Sequence, residues 1–359
     1  MNNGTNTLPQ SGRRGKRKSA AALRCGTLLS CLLLAAACTK EPAAEPSDET
    51  VPLNLSAYIT AEAQPQSRAI IPGNKFPSNN TKYPIGMWVC QHEDTPTAFT
   101  PAMSGYGNLL ASLGVEAISE NEWRDIWKYT IDGMTHDILS VQRNEAVDIY
   151  AYYPHTASAS VPTAVPFTTG DTDWMWAKPV ELAASQLSGS SVETPLQFSH
   201  AMTALRVRIK CKYNGNVQLT SMTLTDTEGR LYKAGSMNIV ENKLNLSDAD
   251  KTGELKLTYA DKTVTTSFKD FYILMPPVEN YADGQFELSF VFNNIAAQTT
   301  FKIPNTMTSP DASDGTVTIT AFEVGKRYTY NLTLDNTMTF EPIGMDDEWI
   351  TVDDIEMEL

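Results

Sequence analysis

The sequence predicts an all-β protein: two β-sandwich domains behind an export signal. Three observations carry this. Apolar and polar residues alternate with a period of two in one stretch after another. Gly, Pro, Asn and Asp punctuate those stretches at short intervals. Long amphipathic helical patterns are scarce, and no 20–50-residue repeat suggests a propeller or solenoid.

Taken in order, the first expected strand is 51–60 (VPLNLSAYIT), followed by the turn signal Pro72-Gly73-Asn74. Strand 84–91 comes next, and 108–113 reads as the start of a short helix. Residues 147–153 (VDIYAYY) alternate, with tyrosines expected to cover the outer face. The small polar stretch 185–193 (SQLSGSSVE) reads as a boundary between domains 51–188 and 189–359. Each is long enough to bury its own core. The cleanest alternation is 205–212, where Leu205, Val207, Ile209 and Cys211 interleave with Arg206, Arg208, Lys210 and Lys212. That is a strand with one dry and one wet face. Strands 217–226, 271–275, 286–292, 316–322 and 328–334 complete the set. Turns at 213–216, Glu228-Gly229, Asp283-Gly284 and Asp314-Gly315 separate them.

The apolar fraction of 42% in 359 residues excludes wholesale disorder. The net charge of −14 is unevenly spread: six of the 28 basic residues and none of the 42 acidic ones lie in residues 1–37. The remainder therefore carries 22 bases against 42 acids. An acidic body argues against a nucleic-acid partner, because phosphate binding is driven by Lys and Arg. The basic cluster from Arg13 to Arg24 precedes an apolar run, LLSCLLLAAA at 28–37. Residues 1–37 thus read as a secretory signal, too short in its apolar part to span a bilayer. Leu34-Ala35-Ala36-Ala37-Cys38 resembles the lipobox of bacterial lipoproteins, which implies lipidation of Cys38. Residues 38–50 are acidic and Pro-containing, the composition of a flexible tether. Cys90 and Cys211 remain in a compartment that permits disulfides. Spacing alone does not pair them, and Cys211 reads as a buried free thiol on an apolar strand face.

Catalytic patterns are missing: no HExxH, GxSxG, Walker A or CxxC sequence occurs. His92, His136, His155 and His200 lack metal-ligand spacing. Asp248-Ala249-Asp250 opens like a calcium loop, but position twelve is Tyr259 rather than a bidentate Glu, so a polar turn is expected. The acids near 346–354 read as solvated. No enzyme, cofactor or metal site is expected. Trp123 with Trp127, and Trp174 with Trp176, are the remaining candidates, as aromatic platforms for a glycan or host ligand. Core packing is the alternative reading for both pairs.

Several segments in order resemble the fimbrillin family of Bacteroidales, the Mfa-like subunits of type V pili. They are Gln66-Ser67-Arg68-Ala69, Ile85-Gly86-Met87-Trp88-Val89, VDIYAYYP at 147–154 and Asp173-Trp174-Met175-Trp176-Ala177. Phe198-Ser199-His200-Ala201-Met202, GKRYTYNL at 325–332 and Trp349-Ile350 follow. The resemblance implies two β-sandwich domains of transthyretin-like type and an outer-membrane, surface-exposed lipoprotein precursor. It further implies proteolysis between Arg68 and Ala69, removal of the first strand, and polymerisation with other pilus subunits by strand exchange. Ile355, Met357 and Leu359, with Ile350 and Val352 before them, alternate as a donated strand would. A surface lipoprotein that binds glycans, as a tip adhesin or alone, is the alternative reading.

Overall fold

A computed structural model describes residues 49–59, 76, 83–93, 104–119, 122–212, 217–293, 299–308, 316–335 and 339–346. The signal 1–37, Cys38 and the tether up to residue 48 lie outside the described residues, as do Arg68, Ala69, Ile350, Val352, Ile355, Met357 and Leu359.

The described chain is built of β-strands with two short 3-10 turns, Ala184–Ser188 and Asp248–Asp250. The first part forms one ten-stranded sheet. Its path runs Met134–His136, Glu122–Ile131, Ser104–Ser119, Ile85–His92, Ala146–Tyr153, Met175–Ala177, Val192–His200, Thr50–Ile59, Ser140–Gln142, with Val180–Leu182 paired to Ala146–Tyr153. One apolar cluster draws on both ends of this sheet, Val51 and Leu53 at one and Trp127 and Tyr129 at the other. The sheet therefore curls around its own core, which removes the dry face from water without a second sheet.

The second part is a sandwich of two four-stranded sheets. One holds Lys269–Met275, Thr203–Cys211, Arg327–Leu334 and Thr339–Asp346; the other holds Glu254–Val264, Val217–Asp226, Phe286–Phe292 and Thr299–Lys302. Leu205, Val207 and Ile209 from the first sheet meet Leu219, Met222 and Leu224 from the second in a shared core. The alternation of 205–212 is thus realised, with its odd positions inside and its even positions outside.

A third cluster joins the parts. Trp88, Tyr150, Tyr152, Trp174 and Trp176 pack with Met202, Ala204, Met237, Ile239 and Leu274. Val165–Thr168 also pairs with Ala234–Asn238, a strand from the far side of the chain. Val192–His200, which begins inside the polar stretch 185–193, pairs with the strand Thr50–Ile59 of the ten-stranded sheet.

Three local expectations are corrected. Residues 108–113 belong to the strand Ser104–Ser119 rather than to a helix. Asn108 there has a positive φ of 44°, and its side chain is held by Thr156 and Tyr152. The tyrosines of Ala146–Tyr153 do not face water: every residue of that strand is buried. Its second face lies under the third cluster, which alternation within the strand does not reveal. The expected strand 316–322 is shorter, Thr316–Thr318, and Ile319 and Phe322 leave it to enter the core.

Candidate assembly surface

The first strand is the feature on which the expected assembly chemistry centres. Thr50–Ile59 alternates as TVPLNLSAYI, and its odd positions face the core: Val51, Leu53 and Ile59 are buried, Leu55 and Ala57 partly so. Burying three such side chains contributes on the order of 5–9 kcal/mol. On one side the strand pairs in parallel with Val192–His200, from Leu53 opposite Val192 to Ile59 opposite Phe198. This is the only parallel pairing of the ten-stranded sheet among the described residues. On the other side it pairs with Ser140–Gln142 over three residues, Thr50 to Pro52. From Asn54 onward no strand pairs with that second side among the described residues. On the wet face Asn54 donates from Nδ2 to Glu193 Oε1 at 2.8 Å and to Ser191 Oγ at 3.1 Å. At the entry to the strand, the Arg143 amide donates to the Glu49 carbonyl at 2.9 Å.

The tryptophans take a different place from that of a binding platform. Trp174 and Trp176 are each 7% exposed. The Trp174 indole N–H donates to the Thr168 carbonyl at 3.1 Å, and its ring lies 6.4 Å from that of Phe167. Trp176 stands opposite Tyr152 in register. Stacking on a sugar requires an open ring face, and these rings are spent on the junction between the two parts. Trp127 is buried in the first core, edge-on to Phe76 at 6.4 Å. Trp123 lies in the strand Glu122–Ile131 and is described in its backbone alone.

Two motif segments, 173–177 and 198–202, are brought side by side. Phe198, Ser199 and His200 stand opposite Ala177, Trp176 and Met175. His200 Nδ1 lies 2.9 Å from Asp173 Oδ1, and both residues are buried. A His–carboxylate contact out of water locks the position where the chain leaves the ten-stranded sheet for the sandwich. His92 Nε2 lies 3.2 Å from Asp148 Oδ2, and Tyr150 donates to the same oxygen at 3.3 Å. These polar pairs were missed in the sequence because their partners are 27 and 56 positions apart. Asp173 and His200 do sit inside recognisable segments, which was the available signal.

Both cysteines are free and buried, Cys90 in the third cluster and Cys211 in the sandwich core. Burial, aided by the charge of Asp148, pushes the Cys90 thiol up to about 11. Burial also raises Cys211. Neither thiol is a nucleophile at neutral pH. Among the described residues no group of three or more His, Cys, Asp or Glu is placed to hold a metal ion. No helix among them is long and apolar enough to cross a membrane.

The fimbrillin-like family model matches residues 79–346, which takes in nearly all of the described strands. The chain belongs to the fimbrillin-like family. No curated protein matches it. Among solved structures, a candidate cell adhesion protein from Bacteroides uniformis is similar at 16% identity and a TM-score of 0.49, covering 84% of this chain and 99% of that one. A second from Bacteroides ovatus has 16% identity and a TM-score of 0.48, with the same coverage. The fimbrial anchor protein Mfa2 from Porphyromonas gingivalis has 8% identity and a TM-score of 0.33, covering 84% and 99%. As a member of the fimbrillin-like family, this chain has its matched region bounded by residues that fall after Arg68 and before Ile350. The first strand and the segment 350–359 therefore lie outside the family match.

Proposed function

We propose that this chain is a structural subunit of a fimbria at the bacterial cell surface, with assembly rather than catalysis as its function. Family membership supports the fimbrial part of this reading. The observation that carries the mechanism is the seat of Thr50–Ile59: a strand in parallel register on one side, held by three residues on the other, with its apolar half in the core. Residues 1–37 direct export, and Cys38 takes the lipid that holds the precursor to the outer membrane. A cut between Arg68 and Ala69 releases residues 38–68, and the first strand leaves with them. Its departure bares the edge amides and carbonyls of Val192–His200 and the space filled by Val51, Leu53 and Ile59. A strand from a neighbouring subunit restores both at once. Residues 350–359 suit that role, because Ile355, Met357 and Leu359 present one apolar side at the same two-residue period.

Mass spectrometry of the native surface form, with two variants, tests this. A new N-terminus at Ala69 in filaments is expected. Arg68→Ala should retain residues 38–68 and stop assembly. Deletion of residues 350–359 should leave a folded monomer that forms no filaments. Undiminished filaments from either variant overturn strand exchange by these segments. Filaments whose subunits keep a lipidated Cys38 assign the chain to the anchor position instead.

A further inference from the structure

Beyond its first few residues, the second side of Thr50–Ile59 is an open sheet edge. Ser140–Gln142 pairs with residues 50–52, and the Leu53 amide donates to the Leu139 carbonyl at 2.8 Å. The Glu49 carbonyl accepts on the same side, from the Arg143 amide. Odd-numbered residues therefore aim their backbone groups at this side, leaving the even-numbered ones to bond Val192–His200. By the same alternation the amides and carbonyls of Leu55, Ala57 and Ile59 point to the open side, where no strand pairs with them among the described residues. Burial records the gap. Val51 and Leu53 are buried beside Ser140–Gln142, whereas Leu55 and Ala57, on the same inward face, are only partly covered. Tyr58 is 38% exposed, and Ile138, next to Leu139 at the foot of the edge, is 65% exposed.

This edge also lacks the usual guards. Sheet edges are blunted by charged side chains, by proline or by a bulge. Residues 54–59 (NLSAYI) contain no charged residue and no proline, in a chain that holds 42 acids. Pro52 lies in the part that is already paired. The register against Val192–His200 runs unbroken from Leu53 to Ile59, so no bulge turns the edge away. An uncharged stretch on a strongly acidic body is a place where two copies approach with little repulsion.

We infer that this edge pairs with the same edge of a second copy, antiparallel about a two-fold axis at Ala57. An axis normal to the sheet sets residues of equal parity opposite each other, so inward residues meet inward ones. With the axis at Ala57, that residue faces its own counterpart, Leu55 faces Ile59 of the second copy, and Ser56 faces Tyr58. Leu55, Ala57 and Ile59 then exchange both backbone bonds with the residues opposite, and the small Ala57 pair lets the strands close. An axis at Ser56 would instead set Ile59 of the second copy level with Leu53, whose open-side place Leu139 already holds. The contact is short against the ~800 Å² per partner of a standard interface, so the dimer is weak. It needs neither a cut nor a donated strand, so its failure leaves strand exchange standing. One consequence rests on that reading: a cut after Arg68 removes this interface with the first strand and confines pairing to the unprocessed chain.

Sedimentation velocity of the unprocessed chain from residue 38, with Cys38→Ser to keep it free of lipid, tests the pairing alongside circular dichroism. A monomer–dimer equilibrium with a Kd on the order of 10–100 µM is expected. Ala57→Pro removes the central open-side amide and spares the bonds to Val192–His200; it should weaken the dimer about tenfold or more. Ser56→Lys with Tyr58→Lys sets like charges opposite each other at exposed positions and should do the same in low salt. Chains carrying Ser56→Cys, mixed with chains carrying Tyr58→Cys, should form a disulfide-linked pair on oxidation, because opposite Cβ atoms lie about 5 Å apart. Cys90 and Cys211 are buried and do not compete. A monomer at every concentration up to about 300 µM overturns the proposal. So does a dimer that the lysine variant leaves unweakened while its dichroism stays native, or a mixture that forms no cross-link.

Discussion

Single residues in this protein act through partners the topology supplies. Gly86 and Tyr152 stand opposite each other in adjacent strands, and the Tyr152 ring occupies the space a side chain at 86 would need. The glycine of one motif segment and the second tyrosine of another are therefore one packing unit. Tyr152 also donates to Asn108 Oδ1 at 2.7 Å, and burial pushes its hydroxyl up to about 12. Cys90 lies in the same layer and yields a pH prediction. Unfolded, its thiol loses a proton near the ordinary value of 9.0; folded, it holds that proton until about 11. The native state then binds more protons than the unfolded state across that interval, so stability falls as pH rises from about 9 to 11. Denaturant titrations at pH 8, 9.5 and 11 should show the loss, and Cys90→Ala should reduce its slope. A slope identical in the variant would assign the loss to the tyrosines alone.

At the scale of elements, the strand Ser104–Ser119 shows how one residue sets a path. Pairing with Ile85–His92 shifts register between Met87 and Val89, and Asn108 takes a left-handed conformation at that irregularity. Asparagine tolerates this backbone, and its amide also donates to the Thr156 carbonyl at 2.9 Å. Asn108→Ala should cost about 2–3 kcal/mol, from backbone strain and lost hydrogen bonds together. Asn108→Gly should cost less, because it keeps the backbone freedom and loses only the bonds. Chemical denaturation of both variants checks the order; equal costs would show that the φ of residue 108 is unimportant. The helix expected at 108–113 failed for this reason. An Asn followed by apolar residues resembles a capped helix start, whereas its conformation here answers to a strand bulge and to Tyr152, 44 positions away.

The whole molecule is joined through the third cluster, in which Trp174 and Trp176 meet Met202, Ala204 and Leu274. The described residues, from 49 to 346, belong to one compact unit. Unfolding should accordingly be a single transition, with tryptophan fluorescence and far-ultraviolet circular dichroism superimposable. Trp174→Ala, which empties part of the junction, should lower the midpoint and separate the two signals. Two transitions in the native sequence would show that the curled sheet and the sandwich unfold independently.

By itself, the sequence determined the β class, the positions of most long strands and the in-and-out sense of the sandwich strands. Val217–Asp226 and Phe286–Phe292 coincide with their expected limits, and Leu205, Val207 and Ile209 face inward as alternation requires. Those features are local: a strand with one wet face writes its orientation in a two-residue period. The tertiary structure alone decided which strands are buried on both faces and which are neighbours. Ala146–Tyr153 reads as half-exposed because tyrosines are amphipathic, yet residues brought from 165 to 274 close over it. The parallel seat of Thr50–Ile59 beside Val192–His200 is equally illegible, since the pair is separated by more than 130 positions. No local pattern records the partner that a strand meets across so many intervening strands, because pairing and burial are settled only when the distant surfaces come together.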